Sequence, residues 1–213
     1  MPSRHRPARV RAGRCRRRGG ARADRSQRQV VAELELPDEI VAGLTEYRKA
    51  GLISASFDDE LGGMQLPTVI RQASAVWFQA ANAAMSSYNF LTVGNANLLA
   101  EYATPEQRDT WVRPLVEGRF SGTMCLSEPQ AGSSLADITT KATPTDDGTY
   151  RITGTKIFIT AGEHDFTDNI VHLVLAKTPG APDSVKGISL FIVPKFLVNA
   201  DGSLGERNSL SCG

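Results

Sequence analysis

The 213-residue chain has a formal net charge of +1, which averages two unlike pieces. Residues 1–28 hold eleven arginines and one acid, whereas residues 29–213 hold 13 basic and 22 acidic residues. The body is therefore mildly acidic, which argues against a nucleic-acid-binding domain, and no run approaches the roughly 18 apolar residues of a membrane-spanning helix.

The arginine-rich head, residues 1–33, has almost none of the large apolar side chains that a packed core needs. We predict that it is disordered. A transit peptide fits the excess of arginine but lacks an amphipathic face, and a nucleic-acid-binding arm fits the charge. We favour a start that is unrelated to the domain behind it, and we expect no function from it.

The cysteines and histidines indicate neither a disulfide framework nor a metal site. The three cysteines, at positions 15, 125 and 212, are far apart and form no C-x-x-C pair, which fits a reducing cytoplasm. The three histidines have no metal-ligand spacing. We expect Cys125 to pack rather than react, and His172, inside an apolar run, to be a satisfied core residue.

The pattern of residues 34–120 predicts a helical domain. Pro37 opens a helix whose apolar residues recur at helical spacing until Gly51, and Pro67 opens a second helix. A third helix is predicted over residues 93–102.

Thr104 then begins a capping box, with proline at the first helical position and glutamine at the third. The apolar face of the helix that follows is predicted to consist of Trp111, Val112 and Leu115.

After Gly122 the apolar residues alternate instead, which predicts a β-domain over residues 121–213. Alternation on both sides of Gly154-Thr155 predicts a β-hairpin. The fold class is therefore α+β, with a helical domain before an antiparallel β-barrel or sandwich. Strands are expected at residues 122–126, 150–153, 156–160, 170–176 and 188–193.

The most informative motif follows the first of these strands. An apolar run leads into Ser127-Glu128-Pro129, and a turn with glycine and two serines comes next. Gly132 has no Cβ, so its backbone can approach a ligand closely, and Ser133 and Ser134 add hydroxyl donors. The pattern predicts a strand that ends in a rim of donors, with an ordinary surface turn as the alternative.

A second motif lies in the strand predicted at residues 156–160. Its alternation puts Lys156, Phe158 and Thr160 on one face. A flat aromatic beside a hydroxyl suits a planar heteroaromatic ring, and a strand with one exposed aromatic is the alternative.

Together the two motifs resemble a known family. C-L-S-E-P-x-A-G-S followed by G-T-K-x-F-I-T is similar to the middle domain of acyl-CoA dehydrogenases. Upstream, Gly62-Gly63, Y-A-T-P-E-Q-R at 102–108 and L-V-E-G at 115–118 resemble the helical N-terminal domain of the same family. The resemblance runs from about Pro37 to the last residue, and the tail is most similar to the branch that acts on methylthiopropionyl-CoA and related acyl-CoAs.

The resemblance implies α,β-dehydrogenation of an acyl-CoA thioester, with a hydride passing to N5 of FAD. It also implies electron-transferring flavoprotein as the electron acceptor and a homo-oligomer, dimer or tetramer. Where the family often has Thr, Trp and Asp, this chain has Ser127, Phe158 and Ser134, and the last change removes a carboxylate that often caps the turn. Carried over position by position, the resemblance implies that Ser133 contacts both flavin and substrate. The other flavin contacts that it implies are Met124, Leu126, Ser127, Gly132, Phe158, Ile159 and Thr160.

Glu128 is the one carboxylate within the motif, but we do not assign it as the catalytic base. In the family the base lies in a C-terminal helical bundle behind the β-domain, and no such bundle is found before Gly213. We therefore expect a β-domain without its closing strands, no catalytic residue in this chain, and a fragment that is inactive alone.

Three other functions stay open. An acyl-CoA oxidase shares these domains and lets oxygen reach the reduced flavin. A non-catalytic flavin-binding module would use Arg4–Arg28 as a nucleic-acid-binding arm. A fragment that binds nothing would be colourless on purification.

Overall fold

The structure, a computed structural model, describes residues 36–212 and the backbone of Arg11–Cys15. A helical half precedes a β-sheet half, as predicted. Among the helices of the described residues, none is long and apolar enough to cross a membrane.

Three longer helices form the first half: α1 is Asp38–Lys49, α2 is Thr68–Ala81 and α3 is Ala83–Tyr102. Proline precedes α1 and α2, as predicted, and Gly51 follows α1 with a left-handed φ of 70°. The sequence indicates only the second half of α3. Its start is fixed by Asn82, whose side-chain oxygen accepts a hydrogen bond from the Met85 N–H at 2.9 Å.

The capping box at Thr104 is confirmed, with both of its reciprocal hydrogen bonds present. It starts the short helix α4, Pro105–Gln107, which continues through a π-helical turn, Arg108–Val112, into α5, Arg113–Val116. The predicted apolar face is buried, with Trp111 8 % exposed and Val112 and Leu115 fully buried.

The β-sheet half is a six-stranded sheet of mixed strand direction, to which β1, a strand from before the helices, also belongs. The strands are β1, Arg11–Cys15; β2, Phe120–Cys125; β3, Lys141–Pro144; β4, Tyr150–Thr153; β5, Asn169–Lys177; and β6, Ile188–Pro194. Their order is β2-β5-β3-β4-β1-β6, and β5 also pairs with β6, so five strands close a ring and β2 lies beside β5. The β3–β4 and β5–β6 pairs are antiparallel, whereas β1 and β2 pair in parallel with their neighbours. A separate antiparallel pair is formed by β7, Phe196–Val198, and β8, Leu204–Arg207.

The hairpin predicted around Gly154-Thr155 is wrong. The antiparallel partner of β4 is β3, which precedes it, and residues 156–160 form no strand. Phe158 has a φ of 58°, which is incompatible with the pleat of a regular strand.

The predicted disorder of residues 1–33 is contradicted at β1. This strand pairs with β4 on one side and with β6 on the other. It therefore occupies a place where we expected unpaired strand edges. The rest of that head lies outside the described residues.

Helix α3 packs along β2 and joins the two halves. The side-chain amide of Asn95 donates to the Thr123 carbonyl at 3.1 Å, and the Gly122 N–H donates to the Thr92 hydroxyl at 3.2 Å. A Cβ at Gly122 would lie 2.4 Å from the Asn95 side chain, so glycine is required for this approach. The contact fixes β2, and the end of β2 positions the first candidate segment.

Candidate functional site

The first candidate segment begins where β2 ends. Met124 and Leu126 are half-buried, as is Ser127. The Glu128 N–H donates to the Ala131 carbonyl at 2.7 Å, and the Ala131 N–H donates back to the Glu128 carbonyl at 3.0 Å. This exchange closes the predicted turn tightly.

Beyond the turn, Gly132 and Ser133 are exposed. Within residues 36–212, and apart from the glycine itself and its two neighbours in the chain, no atom lies within 4 Å of the point where a Cβ of Gly132 would be. The backbone here is therefore open to a ligand on its outer side, as the sequence predicts.

Both carboxylate oxygens of Glu128 are occupied, and the residue is 3 % exposed. Oε1 accepts from Lys156 Nζ at 2.8 Å and from the Thr140 N–H at 3.1 Å. Oε2 accepts from the N–H and hydroxyl of Thr139 at 2.7 and 2.8 Å, and from the Gln130 amide at 2.8 Å.

Burial alone raises the pKa of Glu128, but the hydrogen bonds from Lys156, Thr140 and Thr139 outweigh it and hold the pKa well below its usual range. The group is therefore ionised and its lone pairs are taken. Its surroundings are those of a carboxylate that holds neighbouring stretches of chain together.

The second candidate segment, residues 156–160, lies against the end of the first. The Ile157 N–H donates to the Ser127 carbonyl at 3.0 Å, and Lys156 Nζ donates to the Leu126 carbonyl at 3.1 Å. The two segments that the sequence singles out are thus brought together.

Phe158 is 90 % exposed and has a backbone conformation that non-glycine residues rarely adopt. Ala161 shares this conformation, with a φ of 57°. Strained backbone of this kind clusters at binding sites. Between them Ile159 packs against the cluster that contains Cys125, and Thr160 is exposed.

Three hydroxyls at this rim are available to a ligand. Among residues 36–212, no hydrogen bond joins the side-chain oxygen of Ser127, Ser133 or Thr160 to another protein group. The rim therefore offers hydroxyl donors beside an exposed aromatic ring.

Sequence reasoning missed the inward turn of Lys156, which it placed on the same face as Phe158. It also missed Thr139 and Thr140 as the partners of Glu128. The signal for the ion pair was present, because Lys156 and Glu128 are the opposite charges inside the two motifs.

Two buried histidines bond to β2. Ser121 Oγ lies 2.9 Å from His164 Nε2, and Thr123 Oγ1 lies 2.8 Å from His172 Nδ1. Burial lowers the pKa of both rings to about 4. The other nitrogen of each ring has no hydrogen-bond partner within residues 36–212, so the prediction of a satisfied His172 holds for one ring nitrogen only.

Neither cysteine chemistry nor a metal centre is indicated in the described part of the chain. Cys125 is buried, and burial raises the pKa of its thiol to about 11, so it packs as predicted. No group of three potential metal-ligating side chains is found within residues 36–212.

Two family models match consecutive parts of the chain. The N-terminal domain of acyl-CoA dehydrogenases matches residues 20–119, and the middle domain of the same family matches residues 123–209. The first match extends the likeness upstream of Pro37.

Individual relatives give the same family. The 3-methylmercaptopropionyl-CoA dehydrogenase of Ruegeria pomeroyi is 45 % identical over 177 residues, which cover 83 % of this chain and 30 % of that protein. A broad-specificity linear acyl-CoA dehydrogenase of Mycobacterium tuberculosis is 38 % identical over 177 residues, or 82 % of this chain and 29 % of that protein. The structure of an acyl-CoA dehydrogenase from Bacillus anthracis, complexed with FAD, has a TM-score of 0.64 at 28 % identity, over 81 % of this chain and 29 % of that one.

The chain spans about 30 % of the length of these curated relatives. Within that span, the domain order, the two motifs and the helix-then-sheet architecture all agree with one family. The chain belongs to the acyl-CoA dehydrogenase family and is similar to its methylmercaptopropionyl-CoA branch.

Proposed function

We propose that this protein serves the FAD-dependent α,β-dehydrogenation of an acyl-CoA thioester, and that its two candidate segments form part of the flavin site. The observation that carries the proposal is their adjacency. The Ile157–Ser127 hydrogen bond brings the segment that carries the exposed Phe158 ring against the segment that ends β2. Both segments carry hydroxyls that form no hydrogen bond within residues 36–212.

The residues present fit a flavin. A planar ring system needs a flat apolar contact and donors to its heteroatoms, which Phe158, Ser127 and Thr160 offer. The open backbone at Gly132 and the hydroxyl of Ser133 suit phosphate oxygens or the substrate. Apolar contacts to the ring system are assigned to Met124, Leu126 and Ile159. When bound, FAD supplies the acceptor for the hydride that leaves the substrate β-carbon.

Glu128 holds the site together and does not take the α-proton. A general base needs a free lone pair within reach of the proton it removes, and both oxygens of Glu128 are already bonded. We assign the α-proton to a base outside the described residues. The fragment is accordingly expected to bind flavin without turning over acyl-CoA.

The partners follow from family membership. We propose electron-transferring flavoprotein as the electron acceptor and a homo-oligomeric assembly of the whole protein. A cytoplasmic location suits Cys125 and Cys212, which are both free thiols.

The test replaces Ser127 and Thr160 separately with alanine. Each change removes one hydrogen bond to the flavin, worth about 1 kcal/mol, and should weaken FAD binding about fivefold. Fluorescence titration of FAD measures the affinity. Ser74→Ala on α2 is the control and should bind FAD as the unmodified protein does. Unchanged affinity and absorption spectrum in both site variants would exclude these segments from the flavin site.

A further inference from the structure

Lys156 bonds to two groups of the first segment. Its ammonium donates to the Leu126 carbonyl at 3.1 Å and to Glu128 Oε1 at 2.8 Å. The Lys156 side chain is 9 % exposed and that of Glu128 is 1 % exposed. A charged pair this far from water is costly to bury and is weak evidence for stability, so a specific positional role is the better explanation to test.

The carboxylate extends this contact to a third stretch of chain. Glu128 also accepts hydrogen bonds from the backbone of Thr139 and of Thr140. Three stretches therefore converge on one ion pair: the end of β2, the stretch leading into β3, and the segment that carries Phe158 and Thr160.

The second segment has little else to hold it. It belongs to no strand, and within residues 154–160 a single backbone hydrogen bond, from Ile157 to Ser127, ties it to the first segment. The positive φ values at Phe158 and Ala161 cost free energy, so the conformation of this segment needs contacts that stabilise it. The ion pair and the packing of Ile159 must supply the remaining restraint.

We propose that Lys156, acting through Leu126 and Glu128, is a positioning residue that fixes Ser127 and Thr160 relative to each other. The inference rests on the proposed function, because it takes these two hydroxyls as flavin contacts. Lys156 itself touches neither flavin nor substrate. Its effect is to keep the two contact segments at a fixed position relative to each other.

The chain offers a matched control. Lys195 forms a second buried ion pair, with Glu163, and donates to the His164 carbonyl at 2.7 Å. Its side chain is 10 % exposed, close to that of Lys156. It restrains Glu163 and His164, which follow the second segment, and Glu163 also pairs with Arg207, so Lys195→Gln should destabilise the fold without separating the two segments.

The experiment uses the full 213-residue chain loaded with FAD. Three quantities are measured: the FAD dissociation constant by fluorescence titration, the visible circular dichroism of the bound flavin, and the melting temperature. Lys156→Gln should weaken FAD binding at least about tenfold and alter the visible dichroism, because a charge-assisted contact is lost and a carboxylate is left unpaired. Lys156→Arg, which keeps the charge and the donors, should restore most of both signals. Lys195→Gln should lower the melting temperature but keep FAD affinity within about twofold.

A fourth variant covers the case in which Lys156→Gln does not fold. Glu128→Gln combined with Lys156→Met leaves no unpaired buried charge, and such replacements are often tolerated. This folded double variant should still bind FAD more weakly and with an altered dichroism.

The outcomes separate the two ideas. If the unmodified chain binds no FAD, the proposed function fails, and the positioning role fails with it. If the unmodified chain binds FAD and Lys156→Gln or the double variant binds it with the same affinity and dichroism, the positioning role alone is overturned. An equal loss of FAD affinity in Lys195→Gln would also overturn it, since the loss would then result from lower stability of the fold and not from displacement of the two segments.

Discussion

At the scale of single residues, burial sets the charge of the two histidines that bond to β2. His164 and His172 are 3 % and 4 % exposed, and each has one ring nitrogen without a hydrogen-bond partner in the part of the chain that the structure describes. Burial is the main cause of the lowered pKa, and the nearby Lys195 lowers it further while Glu163 raises it. Both rings are therefore neutral at pH 7, and protonating either one works against the fold.

Stability should consequently fall as the pH drops from about 6.5 towards 4. In that window the unfolded chain binds a proton on each histidine and the folded chain does not, so protons favour unfolding. Each ring can contribute up to about 3 kcal/mol over the window, and none above pH 6.5. Urea unfolding at pH 7.5 and pH 5 measures the difference. His172→Gln should reduce it, and the same pH dependence in that variant would exclude His172 as a source.

Residue-scale predictions from the sequence succeed where the chemistry is local. Cys125 is expected from its apolar neighbours to pack, and it is buried. The inward turn of Lys156 is not local, because it depends on a contact with Glu128, which lies 28 residues away in sequence.

At the scale of elements, caps and glycines decide where helices and strands start. α1 and α2 could be predicted because a proline precedes each, and α4 because its capping box uses residues within one turn. The hairpin at Gly154-Thr155 could not be excluded from the sequence, since alternation shows that a segment can be a strand and does not identify its partner. β4 instead pairs backwards with β3.

The capping box gives a prediction at this scale. The Gln107 N–H donates to the Thr104 hydroxyl at 3.3 Å, and the Gln107 side chain accepts from the Thr104 N–H at 3.1 Å. Thr104→Ala removes the first of these bonds and should lower the free energy of unfolding by about 1 kcal/mol. Denaturant melts report the change, and Thr104→Ser should retain most of the stability. A loss in the serine variant equal to that in the alanine variant would argue against the cap.

At the scale of the whole molecule, the helical half and the β-sheet half have different surfaces. Helix α2 exposes large apolar side chains, with Val69 71 %, Val76 61 % and Trp77 77 % exposed. Apolar side chains gathered on one face of a helix often mark an interface, which agrees with the proposed homo-oligomer. In the β-sheet half, β1 lies between β4 and β6 and pairs with the backbone edges of both strands.

Removing β1 should therefore change how the whole chain behaves in solution. A deletion of residues 1–15 exposes the edges of β4 and β6, which should promote association between chains and lower the melting temperature. Deletion of residues 1–8 keeps the strand and serves as the control. Light scattering after size-exclusion chromatography compares the two. A monodisperse protein of unchanged melting temperature after the longer deletion would show that β1 contributes nothing to the sheet.

The place of β1 also has a consequence for the order of folding during synthesis. Arg11 and Ala12 pair with Phe191 and Ile192, so closing the ring of strands joins residues that are 180 positions apart in sequence. A contact of such long range cannot form on a growing chain until β6 has left the ribosome, and closing so large a loop is slow. The helical half can pack earlier, because α3, α4 and α5 are near neighbours in sequence. Closure of the ring is therefore expected to be the last step in the folding of this sheet, after the helical half has packed.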